Sequence, residues 1–234
     1  MTPALRPRPQ WGTIPWAPGT YGHSVLGLPL EVWRPRQECR LLLFAGIHGE
    51  EPETTYALSR ALRQLSALPE HCAVVLAANP DGITRGTRGN ANGVDLNRNF
   101  PSKDWRAGTV THRSTIEDTS DVLLSTGSAP LSEPETRALL GLIAELGPRA
   151  VVALHAPLAC IDDANDSAFG RRLAQRTGMP LVRDVGYPTP GSFGSWGADN
   201  GVAVVTYEFP LAATEVLMRE HVPVLVELLL NPDV

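Results

Sequence analysis

The sequence predicts an α/β protein: a mixed, mostly parallel central sheet with helices on both faces. Three observations carry that expectation. Short, almost wholly apolar runs alternate with segments of helical spacing, the signature of strands covered on both sides by crossover helices. Several of those runs stop in clusters rich in Gly, Asn, Pro or His, where α/β proteins carry their sites. The composition, 43% hydrophobic and 19% charged over 234 residues, suffices for one large core, so a single domain over residues 1–234 is expected.

Element by element, the Pro- and Gly-rich start MTPALRPRPQWGTIPWAPGT reads as an extended arm wrapped on the body. Ser24 to Trp33, split by Gly27, reads as an antiparallel edge hairpin. Leu41 to Ile47 is the first buried strand, and Leu58, Ala61, Leu62 and Leu65 give Ala57 to Leu68 a helical face. Ala73 to Ala78 is a second strand, ended by the turn cluster Asn79-Pro80-Asp81-Gly82. Thr84 to Pro130 reads as a long loop, and a loop of that length inside a compact domain is usually functional. Ser132 and Glu135 suggest a capping box for a helix that runs to Leu146 and stops at Gly147-Pro148. Val151 to Leu154 is a further strand. A helix from Asp166 to Gln175, a strand near Leu181 to Arg183, a Gly-rich turn from Gly186 to Gly197, a strand from Val202 to Phe209 and a closing helix from Leu217 to Leu230 complete the order.

Several function classes fall away at this level. A net charge of -5 without a basic tract argues against a nucleic-acid partner, since phosphate binding needs clustered Lys and Arg. No apolar run approaches a membrane span, and the amino terminus lacks a secretory apolar segment, which makes the cytoplasm the expected location. Cys39, Cys72 and Cys160 have no metal-binding spacing and read as reduced core thiols. His23, His71, His112 and His221 carry no supporting motif, and Phe193 and Trp196 read as core.

His48-Gly49-Glu50-Glu51 places an imidazole and a carboxylate three residues apart behind the first strand, a spacing that can share one ion. Alone it is also a common helix start. His155 stands at the equivalent end of another strand, where parallel neighbours would bring it to the same sheet edge, although a strand-end histidine can equally make an ordinary hydrogen bond. Glu208 ends the strand beginning at Val202, and a carboxylate among Val204, Val205, Tyr207 and Phe209 is costly to bury unless paired or functional.

The stretch TRGNANGVDLNRNFP from Thr87 to Pro101, with HGEE before it and YEFP after it, closely resembles the metallocarboxypeptidases, and is similar in particular to the murein peptide amidases among them. The likeness extends to YGHSVLGLPL, HAPLACIDD and GYPTPGSFGSWGADN, and so to nearly the whole chain. It implies a zinc carboxypeptidase-like fold holding one Zn²⁺ per chain on His48, Glu51 and His155, with Glu208 as the general base. It also implies that Arg88 polarises the scissile carbonyl, that Asn97 and Arg98 grip the terminal carboxylate, and that Tyr187 closes over the substrate. Arg forks onto a carboxylate with two hydrogen bonds, so the role suits Arg98, while Asp95 is expected to lace the loop.

The implied substrate is a murein peptide such as L-Ala-γ-D-Glu-meso-diaminopimelate, cut at the γ-D-glutamyl bond in cell-wall recycling. Asp162 and Asp163 are candidates for the ammonium at its far end, or else solvate a loop. A homodimer is compatible with the sequence. Two rival readings are a deacylase of the aspartoacylase and succinylglutamate desuccinylase type, and a metal-free module that only binds peptides.

Overall fold

Four runs that bury nearly every side chain lie side by side at the centre of the computed structural model, which describes residues 5–113 and 121–232. In chain order the strands are β1 (Gly19–His23), β2 (Pro29–Val32), β3 (Leu41–Phe44), β4 (Cys72–Val75), β5 (Thr109–Arg113), β6 (Asp121–Ser125), β7 (Ala150–His155), β8 (Leu158–Asp162), β9 (Leu181–Val182) and β10 (Ala203–Pro210). The helices are α1 (Pro52–Gln64), α2 (Pro80–Arg85), α3 (Pro134–Leu146), α4 (Ala168–Thr177), α5 (Phe193–Asn200), α6 (Thr214–Glu220) and α7 (Val222–Leu230). The main sheet has six strands in the order β4-β3-β7-β10-β8-β9. β4, β3, β7 and β10 are mutually parallel, β8 runs antiparallel to β10, and β9 is parallel to β8.

Alternation along the strands divides the core into two layers. Leu43, Val152, Leu154 and Tyr207 pack with Leu58 and Leu62 of α1, Phe169 of α4, and Leu217 and Leu225 of α6 and α7. Phe44, Val151, Ala153 and Val204 pack with Leu139 and Leu142 of α3 and Phe193 of α5. The expected mixed sheet with helices on both faces is thus the observed one. All three cysteines are free and buried. Among the described residues no helix is long and apolar enough to cross a membrane.

The departures from expectation have identifiable causes. The hairpin is β1–β2 with Ser24–Gly27 in its turn, and it meets the main sheet through a bridge between Trp33 and Val74. The first helix starts at Pro52, earlier than its apolar face, because Pro is favoured in the first turn. The expected turn at residues 79–82 opens α2, which runs to Arg85, and the long loop beyond it holds a 3-10 turn over Leu96–Arg98 and the β5–β6 hairpin; its residues 114–120 lie outside the described residues. Ser132 and Glu135 form no capping box. Glu133 occupies the cap without a side-chain bond, while Glu135 accepts from the Val25 N–H at 3.0 Å and Asn90 Nδ2 at 3.0 Å, tying the edge hairpin to α3.

β8 is not among the expected strands: its short Leu158–Asp162 run follows β7 after only Ala156 and Pro157, and Ala159 within it takes a left-handed φ of 56°. The expected turn from Gly186 contains α5, started by Ser192, whose Oγ accepts from the Ser195 N–H at 3.0 Å; the glycines that suggested a turn allow close packing instead. A Cβ on Gly197 would overlap the Val204 side chain, so α5 lies directly on β10. The closing helix is two helices that meet at His221, followed by Pro223, which has no N–H to continue the first. From Leu5 onward the arm lies on α1, with the Arg6 N–H donating to the Gln64 carbonyl at 2.7 Å; residues 1–4 are outside the described residues.

Candidate active site

Because β3, β7 and β10 are parallel, their carboxyl ends open on one edge, and each contributes to a single buried cluster. The chain leaving β3 carries His48 and Glu51, β7 ends at His155, and β10 sets Glu208 beside His155 in register. His48, Glu51 and His155 are 2%, 5% and 3% exposed, so their polar atoms have one another rather than water as company. His48 Nδ1 lies 2.7 Å from Glu51 Oε1, and His155 Nδ1 lies 3.2 Å from both Glu51 Oε2 and His48 Nδ1. One ligand atom from each of the three residues falls within 4.8 Å of the others. Two imidazoles and a carboxylate converging from three directions fit zinc, which takes three protein ligands in catalytic sites and leaves a position open.

The loop reaches this geometry because Gly49 lacks a side chain: a Cβ there would run into the Gly82 carbonyl at the start of α2. Asn79 caps that helix, its Oδ1 accepting from the Gly82 N–H at 2.9 Å, while its Nδ2 donates to the Ile47 carbonyl at 3.2 Å. One side chain thereby anchors the loop next to His48. The outer ring nitrogen of His48, Nε2, is 3.2 Å from Asp95 Oδ1, and a carboxylate at that place fixes ring orientation and tautomer. Asp95 also accepts from Arg88 Nε at 3.0 Å and the Asn97 N–H at 2.9 Å. It therefore laces the loop, as expected, and also orients His48, which the sequence reading did not anticipate.

Burial alone would raise Glu51, but His48 and His155 against it overrule burial and hold its carboxyl far below the usual range. Glu208 is different. Burial, followed by the repulsion of Glu51, raises it despite the nearby His155. It accepts a long 3.4 Å bond from the Leu158 N–H and stays free to exchange a proton. Two carboxylates pushed apart in this way divide naturally into a charged ligand and a proton carrier.

Arg88 is nearly buried and pairs with Glu50 Oε1 at 3.2 Å, Glu51 Oε1 at 3.3 Å and Asp95 Oδ2 at 3.0 Å. His112, set aside in the sequence, reaches from β5 to Glu50 Oε1 at 2.8 Å and so braces the carboxylate on which Arg88 rests. No local motif marks it, because the contact spans two distant segments. Asn97 accepts from the Phe193 N–H at 2.8 Å through Oδ1, which presents its amide N–H groups as the remaining donors. Arg98 is 9% exposed, and its Nη1 donates to the Asn97 carbonyl at 2.7 Å. Tyr187 is 52% exposed and lines a cavity with Thr206, and partial burial together with the charge of Glu208 pushes its phenol pKa up.

The acidic pair separates. Asp162 lines a cavity of about 200 Å³ together with Tyr187 and Thr206. Asp163 is 2% exposed and turned the other way, accepting from the Asn165 N–H at 3.0 Å, the Ser167 N–H at 2.8 Å and Ser167 Oγ at 2.5 Å. Its lone pairs hold the start of α4, so the expectation that it faces the substrate is corrected. His221 bonds Tyr207 inside the core, with Nδ1 2.7 Å from the hydroxyl, in line with its bland reading.

Comparison with known proteins agrees with this geometry. Residues 20–157 match the family model described as zinc carboxypeptidase. The chain is 46% identical over 230 residues to murein peptide amidase A of Escherichia coli strain K12, covering 96% of this chain and 94% of that one. It is 39% identical to murein peptide amidase A of Vibrio campbellii, covering 100% and 96% respectively. The crystal structure of a murein-tripeptide amidase from Escherichia coli O157 superposes with a TM-score of 0.90 at 44% identity, covering 97% of each chain. The buried His-Glu-His cluster at the sheet edge, the matching family model and the relatives lead to one conclusion: this chain belongs to the zinc carboxypeptidase family.

Proposed function

We propose that the chain is a zinc-dependent amidase, one catalytic domain over residues 1–234, that hydrolyses the γ-D-glutamyl–meso-diaminopimelate bond of murein peptides during cell-wall recycling in the cytoplasm. The observation that carries the chemistry is the buried His48, Glu51 and His155 cluster with Glu208 in register beside it. The substrate is supported by relatives named murein peptide amidase A that match along nearly the whole chain. A zinc ion held by the three ligands would polarise the scissile carbonyl and acidify a water molecule.

In this reading Glu208 takes a proton from the attacking water as its oxygen bonds to the amide carbon. Arg88 stabilises the negative charge that develops on the carbonyl oxygen. Glu208 then gives its proton to the amide nitrogen as the C–N bond breaks, yielding a glutamyl carboxylate and the free amine of diaminopimelate. Asn97 and Arg98 hold the carboxylate next to the cleaved bond, Tyr187 closes over it, and Asp162 receives the distal ammonium.

Incubating zinc-loaded protein with L-Ala-γ-D-Glu-meso-diaminopimelate and identifying the products tests the proposal. Free diaminopimelate and L-Ala-D-Glu are expected. Fully zinc-loaded protein that leaves the peptide intact would end this reading.

A further inference from the structure

Side chains of β10 alternate across the sheet, so Val204, Thr206 and Glu208 share one face while Val205, Tyr207 and Phe209 fill the opposite core layer. β8 runs alongside with Asp162 opposite Thr206 and Cys160 opposite Glu208. Asp162 therefore stands one side-chain row, roughly 7 Å, from the base. The cavity of about 200 Å³ follows this row, with Val202 and Val204 as apolar wall and Arg183 and Tyr187 also lining it.

Its charges are arranged in two zones. Burial, then Asp163 and Asp184, raise the Asp162 carboxyl to about 6, so a cation arriving there relieves an existing repulsion. Arg183 follows Val182, the residue paired with Asp162 across β8 and β9. Its Nη2 donates to Asp166 Oδ2 at 2.8 Å, and Asp166 Oδ1 accepts from Arg171 Nε at 2.8 Å. Two guanidinium groups share that carboxylate, and Arg183 keeps further N–H donors for an anion.

We propose that this cavity recognises the zwitterionic end of the released residue's side chain, with Asp162 taking its ammonium and Arg183 its carboxylate. The inference rests on the amidase reading above and adds Arg183 as a specificity-determining residue. The apolar wall accommodates the methylene stem, and the two charge zones distinguish an amino-carboxylate terminus from the lone ammonium of lysine. A neutral side chain would answer neither charge, and the partly buried Asp162 would lose water without gaining a partner.

The test compares kcat/KM of the zinc-loaded chain on two tripeptides that differ only in meso-diaminopimelate or lysine at the carboxyl end. In Arg183→Gln the preference for diaminopimelate should fall about tenfold, the effect of losing one charge-assisted contact near solvent. Arg183→Lys should retain part of it. Asp162→Asn should weaken both substrates, because both present an ammonium. An unchanged ratio in Arg183→Gln, in an enzyme whose wild type releases diaminopimelate, overturns the assignment of Arg183 and leaves the amidase reading standing. A wild type that releases none refutes the amidase reading and this inference with it.

Discussion

A carboxylate inside β10, between Tyr207 and Phe209, has few neighbours able to hold its charge, and this isolation is what equips Glu208 for proton transfer. Glu208→Gln keeps size and hydrogen bonding but cannot accept a proton. Turnover should fall by ~10²- to 10⁴-fold while zinc content and thermal stability persist. Near-native turnover with full zinc would remove Glu208 from the chemistry. Loss of zinc would make it a support for the metal site. His112 acts one step further out, through Glu50 onto Arg88. His112→Ala should lower kcat by about tenfold with little change in KM, and His112→Gln, which can still donate to Glu50, should recover most of it. Equal kcat in all three proteins would reduce His112 to a surface contact. Asp162 titrates near 6 in this setting and is neutral below that value. KM for the diaminopimelate peptide should therefore fall as pH rises from about 5 to 7, and Asp162→Asn should flatten that dependence. A KM profile identical in the two proteins would sever Asp162 from binding.

Elements matter here through how closely they approach. The loop after β3 can present His48 and Glu51 together only because Gly49 lies against the first turn of α2. Gly49→Ala has no rotamer with which to relieve the overlap, since the obstructing atoms are backbone. The loop must move, and ligands displaced by even a fraction of an ångström lose their common focus. We expect Gly49→Ala to fold, because the strands beneath are untouched, yet to bind zinc at least tenfold more weakly; unchanged affinity by competition with a chelator would contradict this. Elements also show where local reading succeeds. Val151 to Leu154 was legible as a strand because both of its faces are apolar, and Leu146-Gly147 as a helix end because Gly147 takes the left-handed conformation at φ 53°. β8 and α5 were not legible. One is a short strand that follows β7 after only two residues and holds Ala159 at φ 56°, and the other carries Gly194 and Gly197 where a helix usually carries better formers.

At the scale of the whole molecule, the metal cluster joins segments that start from β3 and β7, so an ion bound there ties the centre of the sheet together. Zinc at about 100 times its dissociation constant would stabilise the folded chain by about 2.7 kcal/mol. For a domain of this size that corresponds to roughly 5–10 °C in Tm. Chelation should lower Tm by that amount. His155→Ala should melt at one temperature with or without chelator, and a chelator-dependent shift that survives in this variant would mean that His155 is not a ligand.

The amino-acid sequence by itself determined the alternation of strands and helices, the placement of His48, His155 and Glu208 in or just beyond the carboxyl-terminal parts of strands, and the motifs that point to the zinc carboxypeptidases. These are local properties, carried by periodicity and by neighbours in the chain. Only the tertiary structure decided which residues answer one another. Asp162 lines the cavity while adjacent Asp163 braces Ser167, the capping residue of α4, because consecutive side chains leave a strand end in opposite directions. Asp95 reaches back to His48, and His112 reaches across to Glu50, over separations no motif spans. The division follows from physics: burial pattern is written along the chain, whereas hydrogen-bond partnership depends on where the packed sheet sets down segments that are far apart in it.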